Sequence, residues 1–287
     1  MTEQHASTSP GHTSSTRHAM ATGDWLDLHF EMARPEYEAM HRSVGFQPGW
    51  HVLDAGCGGG PFLPLLAEVV GEEGRISALD LAPENIAAVE ARTVDGGLPC
   101  PVEARVGGLT PLPYPDHTFD AVWCANVSQY LSDEELTAAV AEFRRVVRPG
   151  GLVAIKDTEL PTMFFLTRDP LLLHRFLEAA LRETNGQVPG TWRGPGLRTW
   201  LGAAGFDGVR VRSTLIERQP PLRPVERQFF LGGWRAYAAI AAARDLSPED
   251  KAEWVWHRAH AEEWVRRPDY YFREGNVLAV GRVPDAG

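Results

Sequence analysis

The stretch Val52-Leu53-Asp54-Ala55-Gly56-Cys57-Gly58-Gly59-Gly60-Pro61-Phe62 sets a carboxylate just ahead of a cluster of glycines. Glycines between a strand and a helix permit positive φ and let a ligand approach the backbone without a Cβ in the way. The chemistry this suits is the cradling of a cofactor. The dinucleotide fingerprint requires a third small residue in G-x-G-x-x-[GA], and Pro61 stands at that position. No G-x-x-x-x-G-K-[ST] phosphate loop occurs either. A pyrophosphate would be repelled by Asp54, whereas a cationic amine would be drawn to it. Asp80 closes the next apolar run, where a carboxylate can accept from both hydroxyls of a ribose, each charge-assisted bond being worth about 1.5–3 kcal/mol. The two acids together point to a nucleoside with a positively charged tail.

These residues need a scaffold that brings strand ends together. Residues 51–55, 75–80, 102–107, 119–124 and 152–157 are short apolar runs that read as strands. Between them, residues 62–70, 83–93 and 132–147 carry helical patterns, the last opened by Ser132 with Glu135 three residues on, a capping box. Pro149-Gly150-Gly151 reads as the turn into the strand at 152–157. Strand and helix alternation predicts a parallel sheet covered on both faces, with ligands at the carboxyl ends of its strands. Ahead of it, Trp25, Leu28, Met32, Tyr37, Met40 and Val44 recur at helical spacing interrupted near Pro35, which predicts two short helices. Beyond residue 160 the alternation stops. Helices are expected over 171–183 and 197–204 around a Gly/Pro-rich loop at 185–196, strands over 209–216 and 276–283, and a largely helical, aromatic-rich segment over 217–275.

Four ordered segments then resemble a known family. Asp54-x-Gly56-x-Gly58-x-Gly60, Ala78-Leu79-Asp80-Leu81, the run from Leu112 to Val122, and Arg145-Val146-Val147-Arg148-Pro149-Gly150-Gly151 are similar in order and spacing to class I S-adenosylmethionine-dependent methyltransferases, over about residues 49–157. The resemblance implies a Rossmann-like α/β fold with a seven-stranded sheet in order 3-2-1-4-5-7-6 and strand 7 antiparallel. It implies S-adenosylmethionine as cofactor, with Gly56, Cys57, Gly58 and Gly60 at its methionine part and Asp54 near the amino group. Asp80 would hold the ribose, and Leu81 would pack on adenine. Many members carry Asp where Gly108 stands, so the backbone N–H of Leu109 is the expected adenine partner. Ala125 and Asn126, ending the fourth strand, would pass the methionine tail and sulfonium.

The resemblance further implies a single domain over 21–287, with core 49–157, 205–216 and 276–283 and two helical insertions, 160–204 and 217–275, acting as a lid. Methyl transfer from a sulfonium needs positioning above all, and a base only where the acceptor is protonated. No catalytic residue is assigned. Gln129, Tyr130, Asp157, His29, His41 and His174 are candidates near the expected cavity, and Gln129, Tyr130, His174 and Trp264 are candidate acceptor contacts. Trp254, His257, Ala261 and Trp264 share one helix face, which suits either core packing or the wall of a pocket. The expected activity is methyl transfer to a small organic molecule, an intermediate of secondary metabolism, with oxygen favoured over nitrogen or carbon. A non-methylating use of the same cofactor fold, such as a cyclase, is the alternative.

Composition bounds the partners. The chain has 287 residues, of which 44% are hydrophobic, enough for one substantial core. A net charge of −10 without a basic run argues against nucleic acid. Acidic residues outnumber basic ones 22 to 10 through Asp157 and trail them 16 to 18 beyond it, while six of nine tryptophans follow residue 190. Cys57, Cys100 and Cys124 have no ligand spacing, so neither a disulfide framework nor a metal is expected. Residues 1–20 are Ser/Thr/Gly-rich and predicted to be disordered, with His5, His12 and His18 too scattered to bind metal. With no long apolar run and no signal-like start, a cytoplasmic protein without membrane contact is expected; self-association is left open.

Overall fold

Apolar strands alternating with amphipathic helices bury both sheet faces only if helices cover each side. The computed structural model, which describes residues 23–94, 97–182 and 190–285, has this arrangement. Its first half runs α1 (Gly23–Val44), β1 (His51–Ala55), α2 (Leu63–Val70), β2 (Arg75–Asp80), α3 (Pro83–Thr93), β3 (Val102–Val106), β4 (Phe119–Ala125) and α4 (Asp133–Val146). There follow β5 (Val147–Phe165), α5 (Leu172–Arg182), α6 (Leu197–Ala203), β6 (Asp207–Arg218), α7 (Pro224–Ala243), α8 (Pro248–Ala259), α9 (Ala261–Trp264) and β7 (Phe272–Arg282). The expected tail with its three histidines, residue 183 of the helix expected over 171–183 and residues 185–189 of the loop after it fall outside the described residues.

The strands form one sheet in the order β3-β2-β1-β4-β5-β7-β6, with β7 antiparallel to both neighbours, the fold class expected from the resemblance. Side chains alternate across it. On β4, Ala121 and Trp123 join a core cluster with α1 and α2, whereas Val122 and Cys124 join a second cluster with α4 and α6. The capping box forms as expected, Glu135 N–H donating to Ser132 Oγ at 3.1 Å and Ser132 N–H to Glu135 Oε2 at 2.8 Å.

Two expectations are corrected. Residues 23–44 form one helix, not two, with Pro35 inside it. Proline removes the N–H that would serve the Glu31 carbonyl and crowds that turn, and two arginines distant in sequence donate to carbonyls of that turn. Arg223 Nη2 donates to Glu31 O at 3.4 Å and Met32 O at 3.1 Å, and Arg218 Nη2 donates to Met32 O at 2.5 Å. The fifth strand, expected over 152–157, runs from Val147 to Phe165. The glycine turn is absorbed as an irregularity, with Gly150 at φ +75° and the β4 register shifting between Phe119 and Ala121. At the other end, β7 reaches back to Phe272 and pairs it with Phe165.

Trp254 and Trp264 are core, whereas Trp192 is exposed. Trp254 is fully buried, with ring centroids 5.0 Å from Phe176, 5.9 Å from Phe165 and 6.0 Å from Trp234. Trp264 donates its ring N–H to Leu166 O at 2.7 Å and meets Trp256 and His257 edge to face. Trp264→Ala should therefore lower unfolding free energy by about 3–5 kcal/mol, the usual cost of emptying a large aromatic site, while cofactor affinity measured on the folded variant stays within twofold. Among the described residues, no helix is long and apolar enough to cross a membrane.

Candidate active site

A parallel sheet ends its strands on one edge, so β1, β2, β3 and β4 deliver their C-terminal residues to a common place. There a cavity of about 300 Å³ opens, at the small end of the usual range for small-molecule sites. β1 brings Asp54 and the glycine loop, β2 brings Asp80 and Leu81, the end of β3 leads to Gly108 and Leu109, and β4 ends in Ala125 and Asn126. All of these residues, with Gly56, Cys57 and Gly58, line the cavity.

The loop is hung on its neighbour strand. Gly56 and Cys57 donate their N–H groups to Leu79 O at 2.7 and 3.0 Å, and Gly58 N–H donates to Asp80 Oδ2 at 2.8 Å. Gly56 sits at φ +77°, and a Cβ there would stand 2.4 Å from Val127 Cγ2. Glycine is thus required by both conformation and space. Gly60 departs from expectation: it does not line the cavity, and a Cβ on it would meet Leu63 Cδ1 at 2.5 Å and Val89 Cγ2 at 3.2 Å, so its work is to let α2 and α3 close together.

The two carboxylates differ. Asp80 Oδ1 accepts from Ala82 N–H and Asn85 Nδ2, both at 2.9 Å, and Oδ2 from Gly58, so this acid organises the loop and the start of α3 at once. Asp54 is buried and its Oδ2 has no hydrogen-bond partner. Burial first, and the neighbouring charge of Asp80 second, push its carboxyl up to about 8. An orphaned buried carboxylate oxygen beside a glycine loop is what a ligand's ammonium group would complete. The residues present fit S-adenosylmethionine on that ground.

The remaining wall comes in part from α1, of whose lining residues sequence reasoning singles out only His29 as a candidate. His29, Phe30 and Tyr37 of α1 face the cavity, with Phe62 beneath them and Tyr130 and Leu131 opposite. No described residue of the two expected lid insertions, 160–204 and 217–275, lines it. The second insertion acts at one remove: Phe229 of α7 stacks on Trp25 and His29 of α1, with centroids 4.8 and 5.3 Å apart. The helical spacing that carries Tyr37 was legible, whereas the turning of Phe30 and Tyr37 toward the cavity was not.

Of the candidate catalytic and acceptor residues, Tyr130 and His29 reach the cavity. Gln129 does not: its amide donates to Asn126 O at 3.0 Å and its backbone N–H to Asp157 Oδ2 at 2.9 Å. Asp157 also accepts from Ser128 Oγ at 2.6 Å and Thr158 N–H at 3.0 Å, so it pins the turn that carries Tyr130. His41 is buried against Phe46 and Trp123, and burial, then Arg42, pull its imidazole down to about 4. His174 is exposed on α5, and Trp264 packs in the core. Asn126 is held at φ +59° by its own contacts with Lys156: its N–H donates to Lys156 O at 2.7 Å, and its Oδ1 accepts from Lys156 Nζ at 2.6 Å. Burial draws that ammonium down to about 7 against the pull of Glu274 and Asp157.

Known proteins share this plan. Residues 52–151 match a family model described as a methyltransferase domain. A demethylmenaquinone methyltransferase of Bacillus subtilis is 31% identical over 212 residues, covering 72% of this chain and 85% of that protein. Among solved structures, a phosphoethanolamine N-methyltransferase 2 of Haemonchus contortus in complex with S-adenosyl-L-methionine aligns with TM-score 0.56 at 14% identity, over 92% of this chain and 58% of that one. A SAM-dependent methyltransferase from Aquifex aeolicus aligns with TM-score 0.50 at 21% identity, over 90% of this chain and 96% of that one.

Proposed function

The chain belongs to the class I S-adenosylmethionine-dependent methyltransferases, and from that premise we propose that it methylates a hydroxyl oxygen on a small, largely apolar, ring-bearing molecule of secondary metabolism. The observation that carries the reading is the orphaned Asp54 carboxylate oxygen at the head of a cavity whose other walls are mostly apolar. When bound, the cofactor supplies an electrophilic methyl carbon, the C–S electron pair staying on sulfur as an acceptor lone pair bonds to that carbon.

The chain's own residues would do the following. Asp54 takes the amino group, the Gly56 to Gly58 backbone lies against the methionine chain, and Asp80 accepts from the ribose hydroxyls with lone pairs left over from its three internal bonds. Leu81 covers one adenine face, Leu109 N–H meets the ring edge, and Ala125 and Asn126 flank the sulfonium. Phe30, Tyr37, Phe62 and Tyr130 enclose the acceptor and exclude water. The carboxylates on the wall are otherwise engaged, Glu135 in capping α4, which leaves none to attract a cationic amine and favours a neutral hydroxyl acceptor.

Gly108 offers a direct check of the adenine placement. Nothing lies within 4 Å of a Cβ built there. Gly108→Asp should tighten S-adenosylhomocysteine by about 2- to 10-fold, the worth of one added hydrogen bond, and leave an inosine analogue lacking the exocyclic amine unaffected; weaker binding of both would remove adenine from this corner. The activity itself is tested by mass spectrometry with methyl-labelled cofactor and a panel of phenols, hydroquinones and aromatic amines. Label on oxygen supports the reading, and label on nitrogen or carbon replaces it. A second reading, resting on the likeness over 212 residues, is that demethylmenaquinone or a related quinol is the acceptor, and it belongs in the same panel.

A further inference from the structure

Glu274 lies 245 residues from His29 in sequence, yet His29 Nε2 is 3.0 Å from Glu274 Oε1. The acid is buried in β7, a strand with no other ionised side chain on its covered positions. Asn276, two residues along on the same face, donates Nδ2 to the same oxygen at 2.9 Å. Burial pushes the Glu274 carboxyl up, and His29, Asn276 and Lys156 together outweigh that and leave it below its usual range. An ionised carboxylate only accepts hydrogen bonds, so the facing His29 nitrogen carries the proton. In the neutral ring this leaves the lone pair on Nδ1, and the ring forms part of the cavity wall. Phe229 stacks on this ring at 12° between planes, and Tyr37 OH stands 3.5 Å from Nε2, so its orientation is fixed from two sides.

Such an arrangement has a recognisable chemistry: a base on a cavity wall, oriented by a carboxylate behind it. Burying a carboxylate is costly unless its partner and hydrogen bonds repay the lost hydration, and a purely structural strand position would be filled more stably by an apolar residue. The groups facing the pair are Tyr37 from α1, Lys156 from β5 and Tyr237 from α7, with Asp157 beyond Lys156. Lys156 Nζ sits 3.9 Å from the centroid of Tyr37 and donates to Asn126.

We propose that His29 is the general base that deprotonates the acceptor, with Glu274 as its positioning residue, and that the acceptor therefore carries an acidic hydroxyl, a phenol or an enol. The inference rests on the oxygen-acceptor reading above. The acceptor O–H bond breaks, the proton goes to Nδ1 of His29, and the electron pair stays on oxygen, where it forms the new bond to carbon. The imidazolium so formed is held by the Glu274 carboxylate until water removes the proton after product leaves. An aromatic amine acceptor, neutral and nucleophilic at pH 7, would have no use for this pair.

The test uses the full-length protein, methyl-labelled cofactor and two acceptors that differ in ionisation, an unsubstituted phenol or hydroquinone and a nitrophenol already ionised at neutral pH. His29→Gln should lose about 100-fold or more in kcat on the protonated acceptor, the usual worth of a positioned base, with the loss shrinking as pH rises toward the acceptor's own ionisation. On the nitrophenol the loss should be under threefold, and S-adenosylhomocysteine affinity should not change. Glu274→Gln should move the acid limb of the kcat/KM profile to lower pH and, in ring-nitrogen NMR of the cofactor-free protein, weaken the preference of His29 for the Nε2–H tautomer. An equal loss on both acceptors, or full activity of His29→Gln on phenol, overturns the base and leaves oxygen methylation standing. Turnover of aromatic amines alone by the wild type overturns the oxygen reading and the base with it.

Discussion

Asp54→Asn should weaken S-adenosylmethionine by about 10- to 150-fold, the equivalent of losing a charged hydrogen bond worth about 1.5–3 kcal/mol. The variant keeps the shape of the residue and removes its charge. In the cofactor-free protein the Asp54 carboxyl, raised to about 8 by burial and by Asp80, is protonated through the neutral range. Binding an ammonium group there requires the acid to ionise, so each pH unit below 8 costs affinity. Above that value the ligand's own α-amino group, with an ordinary pKa of about 7.7–8.0, loses its charge. Wild-type affinity should rise with pH to a maximum near 8 and then decline, and Asp54→Asn should lose the rising limb. Stability follows the opposite sign. Because the folded carboxyl binds its proton more tightly than the unfolded one, the native state holds more protons between about 4 and 8, and unfolding free energy falls as pH rises through that window. Chemical denaturation of the cofactor-free wild type should show the slope and Asp54→Asn should flatten it; a variant that binds as well as the wild type at every pH removes the amino-group assignment.

Asp80→Ala is expected to be worse still, because this acid has work in the empty protein. It accepts from Gly58, Ala82 and Asn85, and its loss leaves buried N–H groups without partners at about 1–3 kcal/mol each. A fall in melting temperature is therefore expected along with a loss of affinity of about 10- to 150-fold from the ribose contact alone. The two effects separate in a cycle with a 2′-deoxy cofactor analogue. Wild type should lose affinity when the hydroxyl is removed, and Asp80→Ala should lose little more, since the partner is already gone. Full additivity of the two changes would reduce Asp80 to a loop organiser.

What could be read from the chain alone was whatever depends on local pattern. The glycine loop, the strand ends carrying Asp54 and Asp80, and the Ser132/Glu135 cap are encoded within a few residues, and the sheet order came with the family resemblance. The acceptor side was not legible, because it depends on contacts between distant segments. α1 runs through Pro35, and Arg218 and Arg223 reach the turn it disturbs from nearly two hundred residues away. The insertions read as a lid from their tryptophans, but Trp254 packs on Phe165, Phe176 and Trp234, Trp264 packs on Trp256 and His257, and the second insertion meets the cavity helix α1 through Phe229. One hint did lie in the sequence. Glu274 and Asn276, alternating polar residues in a final strand that is otherwise apolar between Arg273 and Arg282, mark a buried polar site that its burial pattern bears out.

The central claim is that the cavity between the glycine loop, β2 and α1 is built for S-adenosylmethionine, with the Asp54 oxygen waiting for its amino group. Calorimetric titration of the wild-type protein near pH 8 tests it most directly. Saturable binding of S-adenosylhomocysteine at one site per chain, with the heat in buffers of different ionisation enthalpy reporting a proton released when the same titration is run at pH 6.5, is the predicted result. Absence of saturable binding, or saturable binding of a nicotinamide dinucleotide in its place, would contradict the account.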